Sequence, residues 1–545
     1  MKLRTNIFRN GRLQMTLIAG VLLGSVSCTK NFESVNTDKN RIPTAGPAEL
    51  PFLFSRAEEV GTTNANNYQV AQNLFADQYC QYFACEATYF PSDRLVIRQD
   101  WVGANFNPIY ADVMPQLQTL FASVDSLTPE HAMGEVMWVY AFHRVTDYWG
   151  PIPYFKAGTI ASSVPYDPQD KIYDDFFKRL TAAVAVLKTF TGKNAFGSYD
   201  LIYGGKVDNW IKFANTLRLR LALRISKVDA NRAKTEAEAA VADGVMTKSP
   251  ADDAFILRST TGGDVNGLSI MSDWNEFRMS ATMASVLKGY EDPRLSSYFV
   301  PTDKSGDPTP GVIANYKGLR NGLSVDQLKD APNLAAANSH AGPRWASTNV
   351  TVGPNKVIVG KADYNSTPQN VIETAEAFFL RAEGKLLGWD MGGGLTAQQL
   401  YEEGIRQSMN QWGITDATAQ NDYIASTKTP IAPGDGLNSP AVHNIPIKWA
   451  ADQPTQLKQI ASQKWLALYP DGMEAWADWR RSHVLPLYPV VNSDNPLITN
   501  TATQWIRRIP FLDSEKSNNA AGVATGTTAL GGDDNVLTPL WWDKN

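Results

Sequence analysis

Cysteine and histidine are scarce in this chain of 545 residues: three Cys and five His. So few cysteines exclude a disulfide-built scaffold. His131, His143, His340, His443 and His483 are scattered, and neither HExxH nor CxxC occurs, so a metal enzyme has no sequence support. GxSxG, the nucleophile elbow, is also missing. Charge is low, at 19%, with 50 Lys and Arg against 55 Asp and Glu. There is no basic run, which argues against nucleic acid as a partner. Adjacent carboxylates such as Glu402-Glu403 and Asp174-Asp175 sit on helical stretches, point apart and read as solvated faces. A glycosidase pair formed across loops would leave no trace in spacing. No catalytic constellation, metal or cofactor is therefore expected.

Long hydrophobic runs are absent too. Met15 to Leu23 is the clearest apolar stretch, and it is shorter than the ~20 residues a membrane helix needs. It follows Lys2, Arg4, Arg9 and Arg12 and ends in Gly24-Ser25-Val26-Ser27-Cys28. A positive n-region, a short apolar core and small residues form a targeting segment over 1–27. Small residues directly before a Cys resemble the lipobox of bacterial lipoproteins, in which that Cys carries the lipid. Ser25 stands where the lipobox usually has Leu, and an ordinary secretory signal is the alternative. Cleavage before Cys28 removes four cations and takes the formal charge from −5 to −9. Residues 28–44 are polar and read as a tether. Cys80 and Cys85 remain. On a helix over Tyr68 to Cys85 their Cα atoms would lie about 8 Å apart, too far for a bridge, so two buried free thiols are expected.

What the chain has in quantity is aromatics: 15 Trp, 20 Tyr and 22 Phe. Many fall at helical spacing and belong to a core, Trp138, Trp465 and Trp476 among them. Helical periods run over Pro129–Tyr148, Ile172–Phe190, Asn209–Ser226, Ala230–Ala242, Pro454–Tyr469 and Met473–Arg481. Two adjoining stretches organise the rest. Thr374 to Trp389 places Ala377, Gly384 and Leu387 on one face. Thr396 to Gly413 repeats Leu400, Gly404, Ser408 and Trp412 every four residues. Thr396 is placed to cap the second helix, and Gly413 to end it. Small residues at such a contact are a feature of helical repeat scaffolds. Glu376, Arg381, Glu383 and Arg480-Arg481 read as paired structural charges.

The sequence divides by texture. Residues 45–247 are helical, 248–370 are rich in Gly, Pro, Asn and Asp with little helical period, and 371–545 are helical again with an irregular tail from Arg508. Met279 to Lys288 is the clear helix inside the irregular middle. A long irregular segment within a helical chain is often functional.

Five ordered stretches are similar to the SusD/RagB family of outer-membrane lipoproteins. They are FHRVTDYWGPIPYF (142–155), WIKFANTLRLRLALRIS (210–226), FFLRAEGKLLGW with YEEGIRQSMNQWG (378–413), IASQKWLALYPDGMEAWADWRRS (460–482) and RIPFLDSEKSNN (508–519). DPRL (292–295) and ESVNTDKN (33–40) fit the same pattern. The resemblance covers nearly all of the chain after residue 27, as a single domain over 28–545. It implies a mainly α fold of TPR-like helix pairs carrying long ligand loops. It implies a lipid anchor at Cys28, an outer-membrane location, and a TonB-dependent, SusC-like transporter as partner. The ligand it implies is a glycan; an oligopeptide, as in RagB-like members, is the alternative, and a lipid-anchored hydrolase a third reading. Acidic residues often follow the lipidated Cys in surface-displayed members, whereas Thr29-Lys30-Asn31 follow here. Surface exposure is thus implied by the family and not by this motif.

The family's ligand residues do not transfer by position, so candidates come from chemistry. Sugar rings stack C–H faces on Trp and Tyr while Asn and Arg bond the hydroxyls. Tyr89, Trp274 and Trp345, with Asn275 and Arg278, are the candidates in loop-like settings. Trp274 and Trp345 are expected on one ligand face, away from the 374–413 helix pair.

Overall fold

Where the sequence carries a helical period, the computed structural model has a helix. The structure describes residues 46–302, 312–347, 351–352, 357–358 and 363–544. The first half contributes α1 (Leu50–Gly61), α2 (Pro129–Trp149), α3 (Gln169–Lys188), α4 (Val207–Arg224) and α5 (Ala230–Asp243). The middle holds α6 (Gly267–Trp274) and α7 (Ala281–Gly289). The second half contributes α8 (Thr374–Leu386), α9 (Ala397–Gln411), α10 (Gln453–Ala467), α11 (Gly472–Ser482) and α12 (Ala520–Leu530). The chain is mainly α, with very little strand. Consecutive helices pack in pairs: α2 with α3, α4 with α5, α8 with α9. Helix α4 also packs on α3 and α8, joining the two halves within the unit Pro47–Asn545. No helix among the described residues is long and apolar enough to cross a membrane.

The α8/α9 pair shows how sequence sets geometry. The Thr396 hydroxyl accepts from Gln399 N, and Gln399 accepts from Thr396 N, which closes a capping box. Gly413, at φ +78°, follows the end of the helix. Leu400, Tyr401, Ile405, Ser408 and Met409 are buried. A Cβ on Gly404 would stand 2.8 Å from the Phe379 ring, so glycine lets α8 and α9 approach closely. Leu387 departs from expectation: it caps the end of α8 and is exposed, while Gly384 faces Met391 of the following loop, where a Cβ would stand 2.6 Å from the sulfur.

Charge is buried between the pairs. Arg220 Nε and Nη2 donate to both oxygens of Glu376 at 2.7 and 2.6 Å. Arg224 donates to Glu474, Arg144 to both oxygens of Asp471, and Arg481 to both oxygens of Glu383. Arg381 binds the Met391 carbonyl, and Arg480 the carbonyls of Arg507 and Asp147. Arg294 of the DPRL stretch donates to Asp292, Ser408 and Gln463 and so ties the loop-rich middle to α9 and α10. These residues are structural, as their helical settings suggest.

Two stretches differ from their sequence reading. Tyr68 to Cys85 is not one helix. A short turn at Ala65–Tyr68 widens into a π-helix at Gln69–Asn73, a second turn spans Ala76–Tyr79, and Gln81 adopts φ +59° before strand β1 (Phe83–Cys85). Cys80 and Cys85 are nonetheless buried free thiols. The tail is less irregular than its composition suggests, with helices at Asp513–Asn518 and α12. Gly522 and Gly526 weaken helical propensity, but a Cβ at either would meet the Val164 carbonyl or the Tyr166 ring. Tertiary contact therefore selects glycine in a helix.

Candidate ligand-binding site

Strand β1 pairs antiparallel with β3 (Phe277–Met279), with Phe83 opposite Met279 and Cys85 opposite Phe277; β2 (Ala254–Ile256) pairs separately with β4 (Gln369–Ile372). Antiparallel pairing sends the chain after Cys85 and the chain before Phe277 to the same end of the ribbon. Glu86 N extends the pairing by donating to the Glu276 carbonyl at 3.1 Å. Residues 86–90 and 272–276 are thereby neighbours, though nearly two hundred positions apart in sequence.

This end of the ribbon carries exposed aromatics. Tyr89 is 63% exposed and Trp274 53%. Tyr89 stacks edge-on against Phe90 at 4.6 Å, and Phe90 against Trp101 at 5.5 Å, with the Arg98 guanidinium 4.8 Å above the Trp101 ring. The Tyr89 hydroxyl donates to Glu276 Oε1, whose other oxygen accepts from Gln69. That bond pushes the phenol up to about 12, so Tyr89 is a neutral donor at any physiological pH. The Tyr364 hydroxyl binds Asp273. The face therefore combines ring surfaces with Asp273, Asn275 and Glu276.

Asn275 is exposed and ends α6 in the left-handed region, φ +64°, which Asn tolerates better than most residues. Its side-chain oxygen accepts from Arg278. Arg278 is 1% exposed and also donates to the carbonyls of Ala335 and Phe277 at 3.0 and 2.7 Å. It supports the face from within and does not present a free guanidinium to a ligand.

Trp345 contradicts its expected role. It is 2% exposed, with Trp412 at 5.8 Å and Tyr469 at 5.7 Å between ring centres. Trp412 caps α9, so Trp345 packs against the very helix pair it was expected to avoid. The apolar ring is more stable in this aromatic cluster than in water. Of the five sequence candidates, the ribbon gathers Tyr89, Trp274 and Asn275 on the surface and Arg278 beneath them. Trp345 lies elsewhere, in the core. Sequence reasoning missed Phe90, Trp101, Asp273, Glu276 and Tyr364. Proximity to Tyr89 in an aromatic loop was the available signal for Phe90; Trp101, on the helix Gln99–Pro108, and the others become neighbours through the fold.

A helical-repeat scaffold presenting an aromatic and polar loop face defines a binding protein built on paired helices. The chain belongs to the SusD-like family, the SusD and RagB outer membrane lipoproteins, whose model matches residues 35–543. It is similar to a solved chitin-binding SusD homolog from Flavobacterium johnsoniae, with 35% identity and TM-score 0.79 over 91% of this chain and 99% of that one. A SusD homolog from Bacteroides vulgatus is 30% identical, with TM-score 0.79 over 91% of this chain and 98% of its own. One from Bacteroides uniformis is 28% identical, also at 0.79, over 92% and 100%. A search of curated protein sequences finds no match.

Proposed function

We propose that this outer-membrane lipoprotein binds glycans, without turning them over, on the face formed by residues 86–101 and 272–276. The observation that carries the reading is the pairing of β1 with β3, which sets exposed Tyr89 and Trp274 beside Asn275 and Glu276. Ring faces supply stacking for sugar C–H groups, and the carboxylates and amide accept or donate to hydroxyls. The chitin-binding homolog, 35% identical, makes chitin oligosaccharides the first ligands to try. The family further supports delivery of the bound glycan to a TonB-dependent, SusC-like transporter and display on the cell surface through a lipid on Cys28. Cys28 and the 28–44 tether lie outside the described residues.

Isothermal titration with glycan and peptide panels, chitin oligosaccharides included, tests the ligand class. Heat with glycans and no product release is the expected outcome. Heat with peptides alone points instead to an oligopeptide carrier, and catalytic product release to a hydrolase. Isolation of the complex from outer membranes tests the transporter. Co-purification with a TonB-dependent barrel is expected, and a protein that always purifies alone contradicts delivery.

A further inference from the structure

A second chamber lies behind the same loop. Its floor is the short helical turn holding Gln78 and Tyr79, one wall is α11 with Trp476 and Trp479, and segments 487–490 and 501–506 complete it. Ser92 and Asp93 of the loop form the remaining side. The cavity measures about 130 Å³ and reaches the surface at exposed Pro489 and Ala502. That is slightly less than the ~150 Å³ of an engineered cavity known to admit benzene, so a pyranose ring fits only with part of its substituents left at the open rim.

Six unpaired polar atoms gather on the chamber wall. Both side-chain atoms of Gln78, the Tyr79 hydroxyl, the Ser92 hydroxyl and the indole N–H groups of Trp476 and Trp505 have no hydrogen-bond partner among the described residues. Gln78, Tyr79, Ser92 and Trp476 are more than nine-tenths buried. Buried polar groups are almost always satisfied in folded proteins, so several orphans around one cavity require an account. Orphans occur elsewhere in the core too, the Trp149 and Trp412 indoles and the Gln411 amide among them, but none of these lies on the chamber. Among the lining residues, Asp93 is the charged one, and its carboxylate already accepts from Cys85 N, Gly322 N and Asn321. What remains is neutral: indole, amide and hydroxyl donors, amide and hydroxyl acceptors, and aromatic faces. Trp479 and Trp505 meet edge-on at 5.4 Å, and Tyr79 and Trp476 are 5.1 Å apart. The wall is held in place, since Asp494 pairs with Arg94, and Asn495 donates to the Leu95 carbonyl.

We infer that this chamber is a second binding site, separate from the exposed face, that takes one neutral sugar ring. Hydroxyls on the ring match the mixed donors and acceptors, its C–H faces match the indoles, and the lack of a free charge disfavours acidic or amino sugars. The 92–94 turn follows directly on the segment bearing Tyr89, so one loop serves both sites.

The test uses the full folded chain and four free sugars: D-glucose, D-galactose, D-mannose and N-acetyl-D-glucosamine. Binding is read from tryptophan fluorescence and from soaked crystals. At least one sugar should quench fluorescence and appear in the chamber. Gln78→Leu and Trp505→Phe each remove orphaned polar groups and should weaken that binding; combined, about tenfold is expected for two lost hydrogen bonds. Ala502→Trp, at an exposed rim position, should block entry and leave the melting temperature unchanged, which keeps the test valid if the buried variants fold poorly. Trp274→Ala should leave single-sugar binding intact while weakening glycan binding at the outer face, so the two readings fail separately. The inference is overturned if no sugar registers, if soaked crystals show only ordered water in the chamber, or if binding is unaffected by Ala502→Trp.

Discussion

Two tryptophans from the same loop-rich region have opposite environments, and that difference decides their roles. Trp274 ends α6 and is half exposed, whereas Trp345 is enclosed by Trp412 and Tyr469. Stacking on an exposed ring contributes about 1 kcal/mol or more. Trp274→Ala should therefore weaken glycan binding by about fivefold to tenfold and change stability little. Trp345→Ala leaves a cavity and should cost about 3–5 kcal/mol of stability, with affinity unchanged in the folded fraction. Thermal melts run beside titrations separate the two. Nothing in the sequence distinguished these residues. Trp345 lies in a turn, and Trp274 ends a helix of 8 residues, too short a run for periodicity to assign a face. Trp138, Trp465 and Trp476 lie at helical spacing and are buried as their pattern indicates.

Helices were legible and the β1/β3 ribbon was not. The capping box at Thr396 and the left-handed Gly413 can be read from local sequence because their partners lie within a few residues. The ribbon pairs residues 83–85 with 277–279, and three-residue strands carry too little alternation to be seen. The candidate site depends on that long-range pairing, so its candidate residues could be named by type but not assembled. The same limit explains Tyr68 to Cys85, whose aromatics suggested a helix while its π-turn and strand follow from distant contacts. Buried ion pairs show the converse case. Arg220 and Arg224 stand one turn apart in sequence, and each finds a carboxylate from the second half of the chain. Removing one partner strands a buried charge. Glu376→Ala should destabilise by about 3–5 kcal/mol, measured by denaturant unfolding, while glycan affinity of the folded protein is retained. A smaller loss, near that of a surface pair, would show that α4 and α8 are not held by this contact.

At the scale of the whole molecule, titration of buried groups sets how stability varies with pH. Burial pushes Asp77 up to about 7, with Asp471 adding repulsion, and holds Asp93 at about 6 against its three hydrogen bonds. Burial also raises Glu58, beside Asp200, and Glu373, beside Asp253. In the unfolded chain these carboxyls titrate near 4, so on acidification from pH 8 the folded form takes up protons first and gains stability. Buried His443 is held down to about 4, and burial also lowers His143 and His340. Unfolded histidines charge below about 6.5, and these three offset most of what the four carboxyls contribute there. The melting temperature should rise from pH 8 towards about 6.5 and then level off down to about 4.5. Asp77→Asn should flatten the alkaline limb; an unchanged slope would remove Asp77 from the account. Attachment is a separate whole-molecule property. With a lipid on Cys28, Cys28→Ala should move the protein from the membrane pellet to the soluble fraction when the transporter is absent. The central claim is glycan recognition by the ribbon-borne face, and calorimetric titration of the folded protein and its Trp274→Ala variant with one glycan panel tests it most directly. The account predicts heat with at least one glycan and about fivefold to tenfold weaker binding in the variant at little-changed melting temperature. Heat with peptides and none with glycans, or equal glycan affinity in both proteins, would contradict it.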